Sequence, residues 1–280
     1  MEKNLSEKSE KEKIINASKN IRKKILTMAM EAGSSSAHIG GALSIVDILS
    51  TLFFNIMRID KNDPLKNNRD RFILSKGHAC LAYYASLSEI GYISDEELKT
   101  FEKNETNLPG HPVINKELGI EFSTGSLGMG LSLGIGVALS AIKRGISYDV
   151  YVVLGDGECN EGSIWEAAMA APNLNVNNLN VVIDRNNFQQ TGTNLEIMDL
   201  KNLSDKWKSF GWHTIELDGH NIDSLVQTFL ELKKINRPKV IIANTIKGKG
   251  FSKFENDNKW HHSILTKSFY EEAIKEIESS

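Results

Sequence analysis

Apolar residues recur at helical spacing through Ile15, Ile21, Ile25, Met28 and Ala29, and the run stops at Gly33. This pattern predicts a first helix from Ile14, ended by a glycine suited to a left-handed cap. Ser44-x-x-Asp47 reads as a capping box opening a second helix towards Met57. Residues 71–74 read as a strand and residues 79–90 as the helix that follows it. Ser94 before three acidic residues reads as another N-cap. Short apolar runs at 151–154, 181–183, 213–217 and 240–243 predict four more strands, with a helix over 222–235 between the last two. Gly128, Gly130, Gly134 and Gly136 punctuate an apolar segment, which predicts a helix packed closely on its neighbours. No GxGxxG register is present and no strand directly precedes it, so this is not a dinucleotide fingerprint. Residues 102–123 carry Pro109, Gly110 and Pro112 with little periodicity and read as a long loop, a type that is often functional. Strands alternating with helices predict the α/β class: a doubly wound, mainly parallel sheet with helices on both faces.

Composition narrows the picture. A chain of 280 residues, 40% hydrophobic and 25% charged, can bury a sizeable core. The expected organisation is a flexible lead-in over 1–13 and a single α/β domain over 14–280. A net charge of −3, with no basic cluster interleaved with aromatics, excludes a nucleic-acid partner from the expectation. No apolar run reaches the ~18 residues a spanning helix needs, so no membrane partner is expected. The first dozen residues mix Lys, Glu and Ser without an apolar centre and read as neither signal nor transit peptide. Cys80 and Cys159 lack CxxC spacing, which fits thiols in a reduced, cytoplasmic setting. Cys159, beside the most informative motif, reads as a small buried filler.

That motif is Gly155-Asp156-Gly157, followed about thirty residues on by Asn186-Asn187. Each half closes a run that reads as a buried strand. Sites in open α/β sheets form beyond the carboxyl ends of strands, so both halves are expected in one crevice. Asp156 offers a carboxylate, Asn186 an amide oxygen and the nearby backbone a carbonyl. This hard-oxygen set suits Mg²⁺, which completes its octahedron with phosphate and water. Gly157 lets backbone approach an anion, and a helix starting near Ser163 would aim its N-terminus the same way. Either half alone would be only a turn signal.

The spacing resembles the diphosphate-and-metal motif of thiamine diphosphate enzymes. The resemblance extends from about Ala29 to His261 and is to the amino-terminal half of the transketolase family. It is carried by Ala37-His38-Ile39-Gly40-Gly41, Asn68-Arg69-Asp70-Arg71-Phe72-Ile73-Leu74-Ser75-Lys76-Gly77-His78-Ala79, Pro109-Gly110-His111-Pro112, Thr124-Gly125-Ser126-Leu127-Gly128-Met129-Gly130 and Trp260-His261. The chain is similar to the amino-terminal subunit of a split transketolase.

The resemblance implies thiamine diphosphate and Mg²⁺ as cofactors, with Asp156, Asn186 and the backbone of Phe188 on the metal. It implies His78, Gly125, Ser126, Leu127, Gly157, Asn186 and His261 as cofactor contacts. Of the seven histidines, it implies catalytic roles for His38 and His261 around the C3 hydroxyl of a ketose donor, and for His111 at the C1 hydroxyl. His213 and His220 have no such implication and read as structural. Glu161 and Glu166 resemble family acids near a dimer interface. The implied activity moves a two-carbon ketol unit from a ketose, or its phosphate, to an aldose. A separate C-terminal-type subunit would supply the Glu that activates the cofactor and the ring-stacking aromatic, because one helix after His261 leaves no second α/β unit. A symmetric assembly of two chains of each kind, with two active sites, is the expected partnership.

Departures from the family pattern bear on the donor sugar. Ala37 and Ile39 stand where Gly and Pro are usual, Ser126 where Pro is frequent and Met129 where Gln is frequent. His262 replaces the usual Gly after Trp-His, and Lys247 stands where some relatives carry an apolar residue. Three other readings stay open. One is a subunit resembling 1-deoxyxylulose-5-phosphate synthase or a 2-oxoacid dehydrogenase, another a transketolase for a specialised sugar. The third is a non-catalytic scaffold, which intact Asp156, Asn186 and histidines disfavour.

Overall fold

The computed structural model describes residues 2–279, and side chains from residue 8 onward. Five strands form one sheet: β1 (Arg71–Leu74), β2 (Val150–Gly155), β3 (Leu179–Arg185), β4 (His213–Asp218) and β5 (Lys239–Asn244), in the order β1-β2-β3-β5-β4. Every pairing is parallel. Parallel neighbours need crossovers, and the helices between strands cover both faces.

Side-chain alternation divides the core in two. Phe72, Leu74, Tyr151, Val153, Val182 and Ile241 face the layer built by helices Glu2–Glu31, Cys80–Ile90, Ile222–Leu232 and Lys267–Ser279. Ile73, Val152, Leu154, Val181, Ile183 and Ile242 face helices Gly130–Arg144, Gly162–Asn173 and Leu203–Ser209. The expected doubly wound α/β sheet is what forms. Gly134 explains how closely one helix sits: a Cβ there would meet Val152 Cγ2 at 2.6 Å. Gly136, on the same helix, faces open space instead.

Two local expectations are corrected. The first helix begins at Glu2 and not at Ile14; residues 8–13 are exposed, and Ile14 is the first buried side chain among those described. Its Lys and Glu residues are good helix formers with no Gly or Pro among them, and the packed turns beyond Ile14 propagate the helix outward. The Ser44 capping box does not form. A short helix over Gly40–Leu43 precedes Ser44, Val46–Thr51 is a second one, and a π-turn over Leu52–Ile56 ends the segment. Ser44 Oγ instead has two acceptors within reach for its one proton, Asp184 Oδ2 at 2.7 Å and Gly41 O at 3.0 Å. Asp47 is buried against Arg22 Nη2, 2.6 Å away, and His220 Nδ1, 2.8 Å away. Tertiary partners outcompete the local cap.

Candidate active site

Gly155 at the end of β2 lies in register with Asp184 of β3, so the two motifs leave the sheet side by side. Beyond them opens a cavity of about 380 Å³. Asp156, Gly157, Asn186 and Phe188 all line it, as do His38, His78, His111, His261, Gly125 and Leu127. The structure therefore brings together nearly all the site residues expected from sequence. Ser126 is the exception: it is exposed and lies outside the cavity lining, because the turn over 126–128 directs it to solvent.

The Asp156 carboxylate is buried, at 1% exposure, and accepts the backbone N–H of Gly157 at 2.8 Å and of Asn187 at 2.6 Å. Among the described residues no cationic side chain pairs with it. Burial and the neighbouring Asp184 carboxylate push its pKa up to about 7. Asn186 donates through Nδ2 to Asp184 Oδ2 at 2.7 Å and accepts the Phe188 N–H at Oδ1, 3.0 Å away. Its amide oxygen is thereby oriented and keeps one lone pair for a further partner. No cage of three His, Cys, Asp or Glu side chains occurs among the described residues. The available set is one carboxylate, one amide oxygen and backbone carbonyl, which fits a hard cation that keeps phosphate and water ligands.

Asp184, fully buried, is the hub beneath. It takes Lys76 Nζ at 2.5 Å, Ser44 Oγ, Asn186 Nδ2 and Thr245 Oγ1. Lys76 Nζ also donates to Gly41 O at 2.9 Å. Sequence reasoning missed Asp184 and left Lys76 without a role of its own; their signal is a charged pair inside or directly after apolar strands, which stays buried only when mutually satisfied.

Gly157 is shaped for close approach. A Cβ there would meet Gln189 Cγ at 2.8 Å. Among the described residues the buried Gln189 Nε2 has no hydrogen-bond partner, and Gln189 lines the same cavity. A 3₁₀ turn over Gly157–Asn160 comes before the helix at Gly162–Asn173, and the cavity is bordered by this turn together with Glu161, the N-cap residue of the helix. Glu158, also missed from sequence, anchors three segments. It accepts from Ser75 Oγ at 2.5 Å, Gly128 N at 2.8 Å and Gly155 N at 3.0 Å. Gly125, at φ 142°, admits the His111 ring; a Cβ would meet that ring at 2.9 Å. Glu161 lines the cavity and Glu166 is exposed away from it.

The histidines cluster. His38 lies with its ring centroid 5.4 Å from His78, 5.5 Å from His261 and 5.9 Å from His111. Burial, then the neighbouring imidazoles and Lys247, lowers His38 to about 3. Burial, then Lys247 and Lys76, lowers His261 to about 4. His78 is likewise held well below its ordinary value by burial and Lys76. These three rings are neutral at pH 7, each with one N–H and one lone pair, and Lys247 Nζ, 3.0 Å from Nδ1, occupies that of His261. His220 is structural, donating to Asp47 and accepting the Ile246 N–H at 2.9 Å. Cys159 is fully buried, as a filler should be, and burial raises its thiol well above the usual range.

A parallel sheet with a polar cavity at the carboxyl ends of adjacent central strands defines a ligand-binding domain of the doubly wound class. The sequence profile described as "Transketolase, thiamine diphosphate binding domain" matches residues 13–277. The chain is 42% identical to the first of the subunits of apulose-4-phosphate transketolase from Phocaeicola vulgatus, over 91% of its own length and 90% of that protein's. It is 41% identical to 6-deoxy-6-sulfo-D-fructose transketolase subunit SqwG of Clostridium sp., over 86% and 88%. Against the transketolase of Leishmania mexicana it superposes with a TM-score of 0.88 at 28% identity, covering 95% of this chain and 41% of that one. It thus spans about two-fifths of the length of that solved transketolase. The chain belongs to the transketolase family, as its thiamine diphosphate-binding domain. No helix among the described residues is long and apolar enough to cross a membrane.

Proposed function

We propose that this chain is the amino-terminal-type subunit of a transketolase, moving a two-carbon ketol unit from a ketose or ketose phosphate to an aldose. The observation that carries this reading is the meeting of Asp156, Asn186 and four histidines around one cavity. In the proposed arrangement Asp156, the Asn186 amide oxygen and the Phe188 carbonyl hold Mg²⁺. Gly157 gives room for the diphosphate, Gln189 Nε2 and His78 donate to it, and Leu127 packs under the ring system. When bound, thiamine diphosphate supplies the carbanion and electron sink for cleaving a carbon–carbon bond. The protein's part is placement and proton transfer. His38 and His261, neutral and half-buried, hold the donor C3 hydroxyl, His38 accepting its hydrogen bond and His261 donating to its oxygen through Nε2, while His111 holds the C1 hydroxyl. Groups placed in this way contribute on the order of 10²–10⁴ each in rate.

The proposed partner is a separate subunit that supplies the activating Glu. Two observations support it. Relatives as long as this chain are themselves named as transketolase subunits. Leu127, Met129 and Leu133, at and beside the cavity, are 36%, 49% and 37% exposed. Clustered exposed apolar residues suit a protein contact. A specialised sugar substrate is favoured by the relatives named for apulose-4-phosphate and 6-deoxy-6-sulfo-D-fructose. The experiment is to titrate thiamine diphosphate into the partner-bound complex with and without Mg²⁺, then assay ketose–aldose pairs. Mg²⁺-dependent binding with ketol transfer is the expected outcome; tight binding without Mg²⁺, or no transfer from any ketose, would refute the reading.

A further inference from the structure

Among the described residues the His38 ring makes no hydrogen bond, so packing alone sets its orientation. Its shortest ring contact is to His262, with centroids 4.3 Å apart and 37° between planes. His262 is itself held. Ser36 Oγ lies 2.9 Å from His262 Nε2, and the same hydroxyl donates its proton to Ser35 O at 2.5 Å. With that proton committed, the Ser36 oxygen accepts from the His262 ring, whose Nδ1 also lies 3.3 Å from it. Ala37 and Ser263 exchange two backbone hydrogen bonds of 3.0 Å, which lock the two segments side by side.

Ser36 has φ 60° and ψ 175°. Few residues other than glycine adopt this region, and holding one there costs roughly 1–3 kcal/mol. The strained residue is the one whose hydroxyl anchors His262, two positions before His38. Neither Ser36 nor His262 lines the cavity. Among the described residues the one ring contact of His262 is to His38.

We propose that His262 is a positioning residue for the donor sugar, holding the His38 ring in place through the stack and the Ser36 hydrogen bond. The proposal rests on the reading of His38 as a donor contact. It assigns a role to a residue that stands where the family usually has glycine. The groups facing His38 are His262, His261, His111, His78 and Lys247; after burial, His262 contributes most to keeping His38 unprotonated. Loss of the stack should therefore loosen the ring and let it take up protons at higher pH.

The test uses His262→Ala and His262→Phe. In the partner-bound complex, His262→Ala should lower kcat/KM for the ketose donor roughly ten- to a hundredfold, the usual cost of a misplaced group. Thiamine diphosphate affinity should stay within about twofold, since His262 itself does not line the cavity. His262→Phe keeps a flat ring against His38 and should recover most of the loss. Unchanged donor kinetics, or cofactor affinity falling in step with activity, would overturn the proposal. A second readout needs no substrate: histidine NMR titration of the full chain, with the His38 signal assigned through His38→Gln. His38 should stay unprotonated to about pH 5 in the wild type and titrate nearer the ordinary 6.5 in His262→Ala. Identical titration in both would sever the link. A wild-type complex inactive on all ketoses would refute the functional reading alone, leaving the NMR result to decide the His38–His262 coupling.

Discussion

Nζ of Lys247 lies 3.0 Å from Nδ1 of His261. The ammonium also donates to Asn258 Oδ1 at 2.5 Å and Gln189 O at 3.2 Å, so its three protons have three acceptors. Donation to Nδ1 leaves the His261 ring proton on Nε2. Burial and Lys76 lower Lys247 to about 8, yet it stays charged at pH 7 and keeps His261 neutral in turn.

Lys247→Met should therefore free the tautomer of His261 and raise its pKa towards the ordinary value. It would also leave the Asn258 and Gln189 oxygens without a donor, at a cost of about 1–3 kcal/mol each if they stay buried. Histidine NMR and a thermal melt read the two effects. An unshifted His261 would show that the lysine does not control it.

Asp156→Ala should abolish Mg²⁺-dependent thiamine diphosphate binding in the partner-bound complex without unfolding the chain. Its carboxylate is buried without a cationic partner, so removing it should leave the melting temperature of the ligand-free protein at pH 8 unchanged or raised. Unchanged cofactor affinity would sink the metal assignment.

His111→Ala should cut kcat/KM for ketose donors by about ten- to a thousandfold while sparing cofactor affinity. Its expected partner is a substrate hydroxyl and not the diphosphate. Normal donor kinetics, or failure to hold cofactor, would contradict that role.

Acid stability follows from the same burial. His38, His78 and His261 have folded pKa values below the ordinary 6.5, so the unfolded chain binds more protons between about pH 4 and 6.5. Their contribution is fully present above 6.5 and is lost as pH falls through that window. Asp156 acts oppositely, because its raised pKa makes the folded state hold an extra proton between 3.8 and about 7. His213, also lowered, adds to the three imidazoles, and Asp149 and Glu158, also raised by burial, add to Asp156. The two sets partly cancel, and four imidazoles against three carboxyls leave a small net uptake of protons on unfolding near pH 5. Denaturant midpoints of the ligand-free protein should fall from pH 6.5 to 5. A flat profile would mean that the histidines are solvated.

The strands were legible because buried parallel strands read as continuous apolar runs, and their glycine and asparagine endings named the site. Asp156 and Asn186 could be picked out for the same reason, as polar residues directly after such runs, whereas the loop histidines were marked only by resemblance to the family motifs. Asp184 and Glu158 were not legible, since their partners, Lys76 and Ser75, are 108 and 83 residues away in the chain. Ser44 misled because a capping box is a local signal, and a buried carboxylate from β3 claimed the hydroxyl. The His38–His262 stack joins segments more than two hundred residues apart and leaves no periodic trace.

The most direct measurement of the central claim is ketol transfer by the purified chain with Mg²⁺, thiamine diphosphate and a range of ketose phosphates, alone and with its partner. Turnover is expected only in the mixture, at median enzyme rates of about 10 s⁻¹, with a symmetric assembly of both kinds of chain. Comparable turnover by the isolated chain would contradict the claim, because the activating carboxylate would then come from this chain itself.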